Sequence, residues 1–258
     1  MDTIYVTDGS WEGLLSAVYD SWYQREDNVL NILPALPTQP DFLITYKTIR
    51  TNEAKAEKVF EAMETNLSSQ SSQRVMLCWY SEEHEAGRNI LNYLRLGFAT
   101  GPTVDEMVLH RFVRPVHDAA DRVAFEAHRM KGLLRFHRTK QGQYCSVIEP
   151  DFYILPLLAE HFADRMPDVP WLIHDKGRQI SVAYENGQWT LVAGRLVDTV
   201  QAHDSEDETQ EMWRRYFDAM AIEGRMNPVL QRRFMPRRYW RHLVENPTGA
   251  LAKALQRG

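Results

Sequence analysis

Glu149-Pro150-Asp151, His161, His174-Asp175 and Arg178 place carboxylates, imidazoles and a guanidinium along one stretch of the chain. Carboxylates beside an imidazole suit general acid–base catalysis or hydrolytic metal binding, because each holds or releases a proton near neutral pH. Glu149 ends one expected strand and His174 ends another, so the two can meet at one edge of a sheet. The candidate catalytic set is Glu149, His161, His174 and Asp175. Fixed-spacing metal motifs such as HExxH or paired CxxC do not occur in the sequence. A structural role stands beside the catalytic one: Asp151 reads as a helix cap, and His161 as a core histidine beside Phe162.

A second group is cationic. Asp118, Arg122, Phe125 and Arg129 share a helix face by three- and four-residue spacing, with Glu126 and His128 flanking it. A solvated face carrying internal ion pairs is the favoured reading there. Lys131, Arg135 and Arg138 carry the basic character onward. Arg135 and His137 alternate with Leu134 and Phe136, so they share one sheet face and can meet phosphate. The third group is the run from Arg232 to Arg241, where Arg232, Arg233, Arg237, Arg238 and Arg241 interleave with Phe234, Tyr239 and Trp240. Arginines pair bidentately with phosphate, and Tyr239 or Trp240 can stack on an unpaired base. The rival is a helix that buries Tyr239, Trp240, Leu243 and Val244 while its arginines reach outward. The candidate nucleic-acid contacts are Arg129, Lys131, Arg135, Arg232, Arg233, Arg237, Arg238 and Arg241.

The elements that must position these groups follow from periodicity. Ile4 to Val6 reads as a strand, and Leu14, Leu15, Val18, Tyr19 and Trp22 as the inner stripe of a helix. Pro34, Pro37 and Pro40 imply a loop. Phe42 to Ile49 reads as a strand, and Thr51 opens a helix that turns Val59, Phe60 and Met63 inward. The serine-rich stretch Ser68 to Gln73 reads as an interhelical loop, followed by helices at Arg74 to Tyr80 and Glu85 to Leu96. Val113 to Met130 carries the clearest buried stripe, with Gly132 as its stop. Strands Leu133 to Arg138 and Tyr144 to Glu149 form a hairpin around Lys140-Gln141-Gly142. A helix from Ile154 to Arg165 leads to strand Trp171 to His174. Strands Gln179 to Tyr184 and Gln188 to Val192 flank the turn Asn186-Gly187. Ser205 and Glu208 form a capping box for a further helix, and Asn227-Pro228 and Met235-Pro236 mark helix starts. The expected class is α+β: a mostly antiparallel sheet in the central to C-terminal half packed with helices, preceded by a mainly helical N-terminal half. One compact unit over residues 1–258 is expected, subdividing into 1–110 and 111–258.

Composition bounds the rest. The chain has 258 residues, 44% hydrophobic and 25% charged, enough to bury a core without disulfides or a structural metal. No apolar run is long enough to span a bilayer, and Met1 to Asp8 lacks the pattern of a secretory signal. Cys78 and Cys145 are too few for a zinc site or an iron–sulfur cluster, and as reduced thiols they suit a cytoplasmic protein. No cofactor or metal is expected. Net charge is −5, but from Glu211 to Gly258 ten basic and four acidic residues give +6, leaving −11 elsewhere. Such asymmetry suits docking on a polyanion through one end, and equally a protein partner. A Gly-rich phosphate loop, a GxSxG elbow and a Rossmann fingerprint do not occur.

The order Glu126-Ala-His-Arg-x-Lys-Gly132 with Arg135-Phe136, then Ile148-Glu-Pro-Asp151, Leu157-Leu158, His161-Phe162, Pro170-Trp171 and His174-Asp175, resembles a bacterial family described as DNA metabolism or DNA repair proteins. Tyr5-x-x-Asp8-Gly-Ser10, Tyr93-Leu-Arg-Leu-Gly97, Arg225-x-Asn-Pro228 and Met235-Pro236-x-Arg-Tyr-Trp240 extend the resemblance over nearly the whole chain. It implies a core domain of unknown function, encoded beside a radical-SAM protein and in some relatives fused to a uracil-DNA-glycosylase-like domain. This chain, ending at Gly258, resembles the stand-alone form. The implied function is a DNA-repair accessory that binds DNA, damaged or single-stranded, and acts with the radical-SAM partner. A hydrolase or nucleotide-processing enzyme at the Glu/His/Asp cluster is the alternative, and a protein-interaction scaffold is a third.

Overall fold

The computed structural model describes residues 2–23, 28–139, 143–194 and 239. The chain divides into two compact units, Met1–Ala124 and Phe125–Gly258. Together they make an α+β protein, as expected.

In the first unit, β1 (Thr3–Val6) lies between β2 (Val29–Leu33) and β3 (Thr45–Thr48), and both pairings are parallel. Parallel neighbours need a crossover, and α1 (Trp11–Tyr23) provides the one between β1 and β2. Asp8 shapes the turn into α1 by accepting from Ser10 N and Oγ and from Thr51 Oγ1. A side chain at Gly13 would meet that carboxylate at 2.4 Å, so the first turn of α1 requires glycine. α2 (Glu53–Asn66), α3 (Ser69–Tyr80) and α4 (Ala86–Thr100) complete the layer, with a 3₁₀ helix at Gly101–Glu106. Leu14, Ile32, Met63, Ile90 and Leu94 are fully buried in its core, around Tyr5. α4 approaches β2 so closely that a Cβ on Gly87 would fall 2.0 Å from the Ile32 carbonyl oxygen.

Several expectations change here, and Trp22 and Phe60, expected inward, are exposed at the edges of their helix stripes. β2 is additional: Val29, Asn31, Ile32 and Leu33 are all buried, and burial on both faces removes the alternation that marks a strand in sequence. The strand expected from Phe42 shortens to β3, leaving Phe42 98% exposed. The serine run is helix rather than loop. Ser68 caps α3 by accepting from Ser71 N, and the Ser68 and Ser71 hydroxyls both donate to Asp105. Polar residues that read as a loop are thereby satisfied inside the fold.

α5 (Arg114–Leu133) contains the division between the units. It runs through Gly132, the expected stop. Arg135 Nη1 donates to the Gly132 carbonyl at 2.8 Å instead, capping the helix end with a cation.

The second unit holds a five-stranded sheet in the order β4-β5-β6-β7-β8. β4 is only His137–Arg138, because residues 134–136 stay outside the ladder. β5 (Tyr144–Ile148) runs parallel to β6 (Trp171–Asp175), with α6 (Leu155–Arg165) between them in sequence. The remaining pairs, including β7 (Ile180–Glu185) with β8 (Gln188–Ala193), are antiparallel. Asn186 (φ 54°) and Gly187 (φ 81°) form the left-handed turn that Asn-Gly favours. Trp171 stacks on Tyr184 across the strands at 5.0 Å and meets Phe162 of α6. The turn Lys140-Gln141-Gly142 and the helices expected beyond residue 194 lie outside the described residues.

Candidate functional site

Because β5 and β6 are parallel, their carboxyl ends share an edge, with Ile148 opposite Asp175. The segment Glu149-Pro150-Asp151 leaves the sheet there and is held from two sides. Arg178 donates through Nη1 to the Pro150 carbonyl (3.3 Å) and through Nη2 to the Asp151 carbonyl (2.8 Å). The same guanidinium pairs with Asp175 Oδ2 at 2.9 Å, and Asp175 Oδ1 accepts from the backbone of Gly177 and Arg178. From α5, the buried Glu126 carboxylate accepts from Asp151 N (3.0 Å) and Phe152 N (2.9 Å). Tyr239, itself buried, also donates to Glu126. Charged groups thus take both the carbonyls and the N–H groups of one bend, which immobilises it.

This frame decides how the candidate acid–base residues sit. Asp175 is fully buried and spent on Arg178 and two backbone donors. His174, the preceding residue on β6, faces the opposite side of the strand. Its Nδ1 lies 2.9 Å from Ser181 Oγ, and burial holds its pKa below the ordinary histidine value. Glu149 reaches the expected strand edge, where its neighbour is Lys176, 3.6 Å away. His161 lies on α6 with its ring edge-on to Phe162 at 5.0 Å. Partial burial lowers its pKa, followed by the charges of Lys131 and Arg165, while Asp164 acts in the other sense. The four residues therefore keep separate company. Among the described residues no group of three or more His, Cys, Asp and Glu side chains is placed to hold a metal ion.

The cationic candidates are more coherent. Arg129 lies over the Phe125 ring at 4.6 Å, and Asp118, Arg122 and Phe125 are exposed, as a solvated helix face requires. Arg114 and Asp118 form an internal pair on that helix. Lys131 and Arg165 take no part in an ion pair among the described residues, yet both act on the His161 imidazole. Burial is the larger cause of that shift, and Asp164 partly offsets the two cations. Arg135 has a structural duty at the end of α5, where it donates to the Gly132 and Leu134 carbonyls. Arg232, Arg233, Arg237, Arg238 and Arg241 lie outside the described residues. Tyr239 does not: it is 3% exposed and offers no ring to a base, while Trp240, Leu243 and Val244, expected inward beside it, lie outside the described residues.

Glu126 is the residue whose role the sequence reading missed. It stands three residues after buried Val123 and four before buried Met130, so its spacing already put it on the inner stripe. A carboxylate there needs donors, and Asp151 and Phe152 provide them.

The family model of a domain of unknown function, DUF4130, matches residues 84–245. The chain belongs to this family. The matched stretch includes α4, α5, the whole five-stranded sheet and both partners of the Glu126–Asp151 contact. In this DUF4130 chain the frame therefore lies wholly within the family domain, whereas β1 to α3 precede it. No curated protein and no solved structure matches the chain.

Proposed function

We propose that this DUF4130 chain is a DNA-binding accessory that works in DNA repair with a partner enzyme, a radical-SAM protein. The observation that carries the reading is the placement of Lys131 in the last turn of α5 and Arg165 in the last turn of α6, a local positive field in which neither side chain has an ion pair among the described residues. Phosphate is the ligand such a field suits, since Lys and Arg contacts to the backbone supply most of the affinity for nucleic acid. The sequence resemblance supplies the repair context and the partner class. The basic excess between Glu211 and Gly258 supports the same reading. The Glu126–Arg178 frame then serves as the rigid mount that keeps the end of β5 in place.

The test is fluorescence anisotropy of a labelled DNA oligonucleotide with the full chain. Lys131→Glu with Arg165→Glu is expected to weaken binding about equally for all sequences, because phosphate contacts carry no base information. Unchanged affinity in the double variant, with binding retained in the parent, would remove these residues from the interface.

A further inference from the structure

In the first unit, α1, α2 and α4 enclose a groove of about 250 Å³ lined by aromatic rings. Tyr19 and Tyr23 stack on each other at 4.2 Å, and Trp22 meets Phe98 edge-on at 5.6 Å. Yet Trp22 is 49% and Tyr23 68% exposed. Large rings left this open on two successive positions of a helix offer stacking surface to a further ring.

The opposite wall is α2, and its charges are segregated. Lys58, Ala62 and Asn66 face the groove at four-residue spacing, while Glu57, Glu61 and Glu64 fall on the other side of the helix. Lys58 Nζ lies 5.8 Å from the Tyr19 ring centre, and Lys55 Nζ 5.7 Å. Lys55 is neutralised by Asp20 at 2.6 Å. Lys58 has no ion pair among the described residues, so it stands as a cation at the rim of an aromatic slot. A planar, π-faced group joined to a negative charge satisfies both features at once. The apolar face of a partner helix would satisfy only the rings, and would leave Lys58 and Asn66 to be desolvated without a match.

We infer that this groove holds an unpaired nucleobase of a single strand, with the base against Trp22 and Tyr23 and the adjoining phosphate toward Lys58. The site shares no residue with the cationic pair Lys131 and Arg165, and stands on its own observations. It would make the chain a reader of unstacked bases, where phosphate contacts alone give none of that selectivity.

Two probes of equal length, about 12 nucleotides, separate base from phosphate contacts: an oligothymidylate and the same backbone without bases. The full-length parent is expected to bind the oligothymidylate about tenfold more tightly than the base-free strand. Trp22→Ala should erase that ratio, and Lys58→Glu should lower affinity for both probes. Trp22 is half-exposed, so the variant is expected to keep the parent thermal midpoint; Lys58→Glu, at an exposed position, gives an independent reading if it does not. Equal affinity of the parent for both probes, or no binding of the oligothymidylate, overturns the inference. So does a parent dimer in sedimentation that Trp22→Ala converts to monomer, since the groove would then be occupied by a second copy. If only the Lys131 and Arg165 contacts exist, both probes bind alike and Trp22→Ala changes neither.

Discussion

Arg178→Ala is the sharpest test of the frame that holds Glu149-Pro150-Asp151. The guanidinium is only 17% exposed and its partner Asp175 is fully buried. Removing one member of a buried pair usually costs about 3–5 kcal/mol, because the other charge is left without compensation. Asp175 would keep its two backbone donors at positions 177 and 178, which places the loss at the low end of that range. The Pro150 carbonyl, in a buried residue, also loses its donor, adding about 1 kcal/mol. A destabilisation of about 4 kcal/mol follows. With a urea m-value of about 2 kcal/mol/M, the midpoint of the second unit's transition falls by about 2 M at unchanged slope. Arg178→Lys retains a charge but not the planar fork, and should recover less than half of the loss. Native-state hydrogen exchange gives the local readout: the amides of Asp151 and Phe152, donors to Glu126, lose protection along with the bend. A midpoint shift below about 0.3 M, with both amides still protected, would show that the bend is held by something other than this guanidinium.

Other consequences follow from the same structure. Burial pushes the Cys78 thiol up to about 12 and raises Cys145 as well, so a disulfide reagent at pH 8 should leave both thiols unmodified in the native chain and titrate both in urea. His117, His161 and His174 all have lowered pKa values in the fold, chiefly through burial. Their unfolded forms bind protons more readily, so the stability they contribute is present above the ordinary value of 6.5 and declines as pH falls below it. His174→Gln should flatten the slope of stability between pH 7 and 5, and an unchanged slope would contradict the buried neutral imidazole. Gly87→Ala would drive a methyl group into the Ile32 carbonyl, and should destabilise the first unit by about 1–3 kcal/mol in the same urea assay.

The elements legible in the sequence are those whose signal is local. The stripe of α5, the Asn186-Gly187 hairpin and the strand at Trp171 each declare themselves within a few residues. What escaped depends on distant partners. β2 pairs with β1 and lies under α4, so its residues are buried on both faces and lose their alternation. The serine run became helix because Asp105, far along the chain, accepts two of its hydroxyls. The parallel pairing of β5 with β6 was equally hidden, since strand propensity does not name a neighbour. At the site, the cluster around Glu149 was visible as residue types, and the strand edge was correctly foreseen. Its meaning changed once Arg178 and Glu126 were seen to hold the backbone of the bend. Tyr239 illustrates the same limit: an aromatic among arginines reads equally as a stacking platform or as a buried ring until a buried carboxylate claims its hydroxyl.

The proposed interface meets DNA through phosphate contacts that include Lys131 and Arg165. Affinity for a single-stranded oligonucleotide, measured against salt concentration, tests it most directly. The account predicts a linear fall of log K with log salt, and a slope reduced by about 0.7 for each of the two residues removed. No binding at low salt, or an identical slope in Lys131→Glu with Arg165→Glu, would contradict it.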